Sequence, residues 1–341
     1  MKRVIAMCAV WVTALGLTAM SGLGATMFHL PTPNHAIYEV GGMERYYMPT
    51  TGRTWESGTF GCVRSEGRQF HEGIDIRPVH RDRQGEAADP VYATADGMVV
   101  YVNAQAHLSN YGKYVVLRHV IEGLELYSLY AHLSQVAPGL APGRAVRSGQ
   151  VIGVMGRTAN TREGISRERA HLHFEMALLL NDQFSGWFRK NHPGERNDHG
   201  VWNGQNLAGV DPTQVLVRQR RRDFSLLGFV RSQTELCRVW VRQRDFSFVR
   251  RYAVLVRPNP RAEKEGVAGY EIAFTYNGLP FELTPRSAAE TKGLGEVALL
   301  SVNAAEYRRQ PCRKLVEEKG GQWVISAAGQ KYLQMVLYPG R

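Results

Sequence analysis

The chain has 341 residues, enough for about two domains. Its hydrophobic fraction of 44% and aromatic fraction of 10% support real cores and exclude disordered, collagen-like and low-complexity classes. The 42 basic residues against 31 acidic ones leave a formal charge of +11, which favours anionic surfaces or polymers without choosing among them.

Met1-Lys2-Arg3 is a short basic head, and an apolar run follows from Val4 to about Met20. Small-x-small patterns at Ala19-Met20-Ser21 and Gly22-Leu23-Gly24 give residues 1–25 the layout of a secretory signal peptide. The alternative is an uncleaved N-terminal anchor, because the run approaches the shortest membrane span. Either way the bulk of the chain is expected to be exported, periplasmic or secreted, and nucleic acid is not an expected partner. Export allows disulfides, and of the cysteines beyond the leader Cys237 and Cys312 are the expected pair, with Cys62 left as a buried thiol.

Residues 26–57 mix Pro31, Pro33 and Gly41-Gly42 with scattered aromatics and read as linker and lead-in. Between 58 and 216 short segments rich in β-branched and aromatic residues follow one another. These are PVYATADGMVVYV from Pro90, KYVVLRH from Lys113, LELYSLYAHL from Leu124, Val151 to Met155, and AHLHFEMA from Ala170. No helical periodicity separates them, which predicts a compact antiparallel β domain. The stretches 80–88 and 181–207 are expected to be surface loops, the second long enough to form a functional rim.

Beyond Asp211-Pro212 the composition changes. Ten arginines fall between Arg218 and Arg251, against Asp223, Glu235 and Asp245. A weak self-similarity of Arg218–Ser225 with Arg242–Ser247 suggests a repeated strand unit. Asn277-Gly278 between EIAFTY and LPFELT predicts a hairpin, with Pro280 placing its second strand at a sheet edge. Asn303 with Glu306 predicts the start of a short helix, and Gln322–Ser326 and Lys331–Tyr338 read as strands. Residues 217–341 are thus expected to form a second, mainly β domain with a short helix.

Three separated sites share one chemistry. In FHEGIDI, His71 and Asp75 are an even number of positions apart, so an extended chain puts them on one face. Gly73 between them leaves room for an ion, while Ile74 and Ile76 point into a core. In AHLHFE, His171, His173 and Glu175 share a face by the same parity. His132 ends an apolar strand. Imidazole and carboxylate suit zinc, and a catalytic zinc site usually has three protein ligands. His71, Asp75 and one of His171 and His173 supply that number, leaving the other histidines as acid, base or oxyanion partners. Glu175 and Glu72 are candidates to orient ligand imidazoles, Glu72 being better read as a solvated carboxylate.

The ordered set FGCVRSEGRQFHEGIDI, GKYVVLRH with LYSLYAHL, PGRAVRSGQVIGVMGRT and AHLHFE resembles the lysostaphin-type, or LytM-domain, zinc metallopeptidases, which are peptidoglycan endopeptidases. The resemblance covers about residues 58–216. It implies one zinc ion held by His71, Asp75 and His173, with His132 and His171 as the catalytic pair, acting on peptide cross-links or bridges of bacterial peptidoglycan. The chain departs from the family pattern in a longer 80–88 loop and in Thr158-Ala159-Asn160, where the family has a Thr-Gly turn. A different class of function is a wall-binding module that activates other hydrolases without cutting. The basic segment Arg218–Arg251 is expected to hold the protein on anionic envelope polymers.

Overall fold

The computed structural model describes residues 27–161 and 164–340, so the leader, residues 1–25, lies outside the described residues. No helix among the described residues is long and apolar enough to cross a membrane.

In chain order, a short helix α1 (Met43–Tyr46) precedes a hairpin of β1 (Gly61–Arg64) and β2 (Gln69–His71), then β3 (Ile74–Ile76), β4 (Pro90–Tyr92), β5 (Gly97–Asn103), β6 (Lys113–Ile121) and β7 (Leu124–Leu133). The short strands β8 (Gln135–Val136) and β9 (Ala145–Val146) lead to β10 (Val151–Val154), β11 (Leu172–Leu179), helix α2 (Phe184–Asn191) and β12 (Leu207–Val210). The principal sheet is antiparallel, in the order β12-β11-β7-β6-β5-β9, with β3 pairing the first half of β11. Strands β4, β10 and β8 form a small second sheet.

Alternation explains the sheet. Leu172, Phe174, Met176 and Leu178 of β11 enter the main core with Ile74 and Ile76 of β3. On the opposite face Ala177 and Leu179 join Tyr114, Val116, Tyr127 and Leu129 in a smaller buried cluster. His173 pairs in register with Asp75 on one side and Ala131 on the other, which delivers the histidine face to the same place as the β7 terminus. Glu72-Gly73 interrupts the extended segment between β2 and β3. Gly73 is needed for the sheet: a Cβ there would collide with the Phe174 carbonyl of β11.

The remainder comprises α3 (Pro212–Arg218), α4 (Leu226–Arg231), β13 (Cys237–Val241), α5 (Ser247–Arg251), α6 (Pro260–Glu265), β14 (Gly269–Phe274), β15 (Pro280–Arg286), β16 (Val297–Val302), α7 (Ala304–Arg309), β17 (Val316–Lys319), β18 (Gln322–Ile325) and α8 (Ala327–Leu337). Four of these strands make an antiparallel sheet in the order β15-β14-β13-β16, which puts the proline-bearing β15 at an edge. The whole is mostly β, as expected, with more helix after residue 211 than the sequence suggests. Helix starts are set by side-chain caps: Asp211 accepts from the amides of Thr213 and Gln214, Ser225 from Gly228, Asn303 from Glu306 and Ser326 from Gly329.

Several expectations fail for local reasons. Lys331–Leu337 is helical, not a strand, because Ser326 caps the helix and Gly329, Leu333 and Val336 form a buried stripe at helical spacing. The two similar arginine-rich stretches are not repeated strands; each leads into a short helix, α4 or α5. The 181–207 stretch contains α2, whose Phe184, Trp187 and Phe188 are buried. The lead-in does not behave as a linker: Phe28 is buried, and its backbone amide and carbonyl bond the two ends of the Gln219 amide at 2.7 and 3.0 Å.

The disulfide also differs. Cys62 of β1 is bonded to Cys312, and Cys237 is the free, buried cysteine. Cys237 faces the core of its own sheet, packed with Val239 and Phe274, so no partner thiol reaches it. Burial pushes its thiol up to about 12. One contiguous buried apolar cluster runs through both sheets. Polar ties add to it: Asn181 Nδ2 donates to the carbonyls of Met335 and Tyr338, and the Leu179 amide donates to the Tyr252 hydroxyl.

The arginine-rich segment is largely paired within the molecule. Arg221, Arg238, Arg242, Arg250 and Arg251 make ion pairs, and Arg218 and Arg220 lie over the rings of Phe229 and Tyr38. Arg222 and Arg244 are exposed, and no ion pair is found for them among the described residues.

Candidate metal centre

His71 ends β2, Asp75 is central in β3 and His173 lies beside Asp75 on β11. Their ligand atoms all fall within 4.8 Å of one another. His71 Nε2 is 3.2 Å from Asp75 Oδ1 and 3.2 Å from His173 Nδ1, and His173 Nδ1 is 3.0 Å from the same carboxylate oxygen. The three side chains are buried. Two imidazole nitrogens and one carboxylate oxygen converging on one point make a donor set suited to a zinc-like cation.

The other nitrogen of each imidazole is held, which fixes the tautomers. His71 Nδ1 donates to the Thr59 carbonyl at 2.7 Å and leaves Nε2 toward the centre. His173 is reversed: Nε2 meets Glu175 Oε1 at 2.9 Å, so Nδ1 is the nitrogen turned toward the cluster. Tyr111 donates to that same Glu175 oxygen at 2.6 Å, extending the chain of bonds outward. Such outer partners orient ligands and raise their basicity. Glu175 is thus placed against the His173 ring, where an orienting partner would stand, while Glu72 lines the cleft outside this chain of bonds.

His132 and His171 stand beside the three, their ring centroids 4.8 Å apart. His132 Nδ1 bonds the Thr158 carbonyl at 2.9 Å, and His171 Nδ1 bonds the Arg169 carbonyl at 2.6 Å. Both Nε2 atoms are therefore turned away from these backbone anchors; that of His171 is 3.5 Å from Asp75 Oδ1. The anchor for His132 comes from the backbone of Thr158, in the Thr158-Ala159-Asn160 stretch. His132 has a φ of +63°, an uncommon conformation for a residue with a side chain, and its amide is held by the Tyr111 carbonyl at 2.9 Å. The longer 80–88 loop is pinned at its base, where Glu86 pairs with Arg157 and Arg167.

Electrostatics separates the groups. Burial lowers the pKa of His71, His132 and His171 below the ordinary imidazole value, most strongly for His132, so these rings stay neutral at pH 7. Burial also pulls on His173, but its bonds to Asp75 and Glu175 outweigh that and raise it to about 9. Burial alone would raise Asp75; the surrounding histidines and Arg64 overcome it and hold the carboxyl well below the usual range.

Arg64 was not singled out by sequence, yet its Nη2 lies 2.5 Å from Asp75 Oδ2 and 2.8 Å from His71 Nε2. Tyr111 was missed for the same reason: neither shares a strand parity with the ligands. The remaining histidines mostly have structural partners, as His119 does with Ser128 Oγ at 2.7 Å and His80 with Asp89 at 2.8 Å. His199 is the exception in place, since it lines the cleft above the centre while bonding Tyr101 at 2.8 Å. That cleft encloses about 790 Å³.

An antiparallel sheet presenting a His-Asp-His cluster with two further neutral histidines defines a metallopeptidase-like site. Residues 69–184 match peptidase family M23, and this segment of the chain is an M23 peptidase domain. No curated protein sequence matches the chain significantly. Among solved structures, a zinc-containing peptidase from Vibrio cholerae is 26% identical over 39% of this chain and 30% of its own, with a TM-score of 0.23. The catalytic domain of the antimicrobial peptidase lysostaphin from Staphylococcus simulans is 20% identical over 50% of this chain and 88% of its own, with a TM-score of 0.28. Csd3 of Helicobacter pylori is 27% identical over 38% of this chain and 30% of its own, with a TM-score of 0.24. The chain therefore spans under a third of the length of two of these proteins.

Proposed function

We propose that the chain is an exported zinc-dependent endopeptidase that hydrolyses peptide cross-links or bridges of bacterial peptidoglycan. The observation that carries this reading is the convergence of His71 Nε2, Asp75 Oδ1 and His173 Nδ1 inside an M23 segment, with His132 and His171 both present beside them. Zinc held by these three supplies an acidified water and a Lewis acid for the scissile carbonyl.

The protein's own groups then divide the work. Asp75 contributes the negative charge of the ligand set, and Arg64 offsets part of it through Oδ2. Glu175 and Tyr111 hold His173 in the tautomer that points Nδ1 inward. His132 and His171 are neutral and anchored through Nδ1, so their Nε2 atoms can accept a proton from the attacking water. Once protonated, the same atoms can donate to the oxyanion or to the leaving amine. The presence of all five residues supports cutting over binding without hydrolysis.

The test combines metal analysis of the purified protein with digestion of isolated peptidoglycan and mass spectrometry of the released fragments. Zinc near one equivalent and new peptide termini are the expected result. Absence of fragments from the zinc-loaded protein overturns the reading in favour of a non-cutting wall-binding module. We further propose that Arg222 and Arg244 supply what attraction the basic segment has for anionic envelope polymers. Loss of wall binding in rising salt, weakened further by substituting both, is expected; salt-insensitive binding removes that idea.

A further inference from the structure

The cleft over the metal centre has a wall that lies outside the M23 segment. Asn277 and Arg313, both from the C-terminal region, line it together with Phe70, Arg64 and Arg169. Three anchors fix that wall. Cys312, next to Arg313 in the chain, is bonded to Cys62, two residues before Arg64 on β1. Asn277 Nδ2 donates to the Gly209 carbonyl of β12 at 2.9 Å. Phe70, which precedes the ligand His71, meets Tyr276 edge-on with centroids 6.2 Å apart and lies under the Arg313 guanidinium at 5.2 Å.

Arg313 differs from the other two arginines of the cleft. Arg64 is spent on Asp75 and His71, and Arg169 donates to the Pro49 carbonyl. Arg313 has no ion pair and no side-chain hydrogen bond among the described residues, and it is only partly exposed. The cation–π contact with Phe70 keeps the guanidinium near that ring and does not use its N–H groups on a hydrogen-bond acceptor, leaving them for another partner. The acidic residue that lines this cleft apart from Asp75 is Glu72, whose charge acts on Tyr111. An unpaired guanidinium lining the cleft matches a planar anion, because a carboxylate takes two parallel N–H bonds from it.

We propose that Arg313 is a specificity-determining residue that binds a free carboxylate of the peptide substrate, so that the C-terminal region completes the substrate cleft of the M23 domain. This rests on the reading of the site as a peptidase. It narrows the substrate class to peptides bearing a free carboxylate that reaches the Arg313 wall of the cleft, over amidated ones.

The test uses the full chain and two probes, tetraalanine with a free C-terminal carboxylate and the same peptide as its C-terminal carboxamide. Binding is measured by calorimetry on metal-free protein, so that affinity of a carboxylate for zinc does not enter. The native protein is expected to favour the carboxylate about tenfold, which is about 1.4 kcal/mol. Arg313→Gln is expected to bring the two peptides within about twofold of each other, which is within about 0.4 kcal/mol, and Arg313→Lys to restore part of the preference. An unchanged melting temperature and zinc content show that the variants are folded. Equal or undetectable binding of both peptides by the native protein, or a preference that survives in Arg313→Gln, overturns the proposal. Hydrolysis of isolated wall by the zinc-loaded protein is scored separately. Carboxylate preference without hydrolysis sinks the peptidase reading and leaves Arg313 only as a carboxylate-binding residue; hydrolysis without preference keeps the peptidase reading and overturns the role of Arg313.

Discussion

Replacing Cys62 and Cys312 together by serine removes a covalent link between residues 250 positions apart. Loop-closure entropy for that separation amounts to about 5.5 kcal/mol at 25 °C, by extension of the chain-entropy relation. That is an upper value, because the unfolded chain keeps some compactness. It is nonetheless a large part of a net stability of about 5–15 kcal/mol. The bond joins the hairpin that carries His71 to the segment that carries Arg313, but it is not what positions the ligands. His71 stays in register with Gly61, and Asp75 with His173, through backbone pairing. The serine variant is therefore expected to bind zinc at 25 °C while melting roughly 10 °C lower than the native protein. Calorimetry of both proteins, without reductant, measures the difference. A variant that melts within about 1 °C of the native protein would falsify the claim that this bond closes the structure.

Other outcomes follow from the site. His71→Ala and Asp75→Ala are each expected to abolish zinc binding, read by metal analysis after dialysis. His132→Ala is expected to retain zinc and lose about 100- to 10,000-fold in turnover; full activity in that variant removes its assigned role. Glu175→Ala, which frees His173 Nε2, is expected to weaken zinc binding about 10- to 100-fold in a chelator competition, and an unchanged affinity argues against the orienting chain. His119 is buried between the Asp96 carbonyl and Ser128, and burial depresses its pKa below the ordinary value near 6.5. A depressed folded-state pKa gives stability that is present above about pH 6.5 and is lost as pH falls through the folded value. Melting temperature is thus expected to drop as the pH goes from 7 to 5, with a shallower slope in His119→Gln; identical slopes would exclude His119 from the effect.

The strand segments and the site were legible because β structure writes its faces into parity. Leu124–Leu133 is a strand end to end, and alternation in AHLHFE separates Leu172 and Phe174, which are buried in the core, from His171, His173 and Glu175. The Asn277-Gly278 turn and the Asn303 cap depend on neighbours a few residues away, and both appear where local chemistry puts them. Lys331–Tyr338 was misread because a short apolar run fits either period, and the Ser326 cap that settles it as a helix stands upstream of the run.

What the sequence by itself determined is the candidate set of His71, Asp75, His132, His171 and His173 and the chemistry such groups suit, because the five lie on or beside strands whose side-chain direction follows from position. Tertiary structure alone decided which cysteine Cys62 meets, that Arg64 and Tyr111 join the centre, and that Arg313 reaches the cleft. Each of these depends on segments far apart in the chain that are brought together by burial of one continuous apolar core. Local sequence carries no record of such a meeting. The backbone carbonyls of Thr59, Thr158 and Arg169 make the same point, since they fix the imidazoles through groups that every residue type possesses.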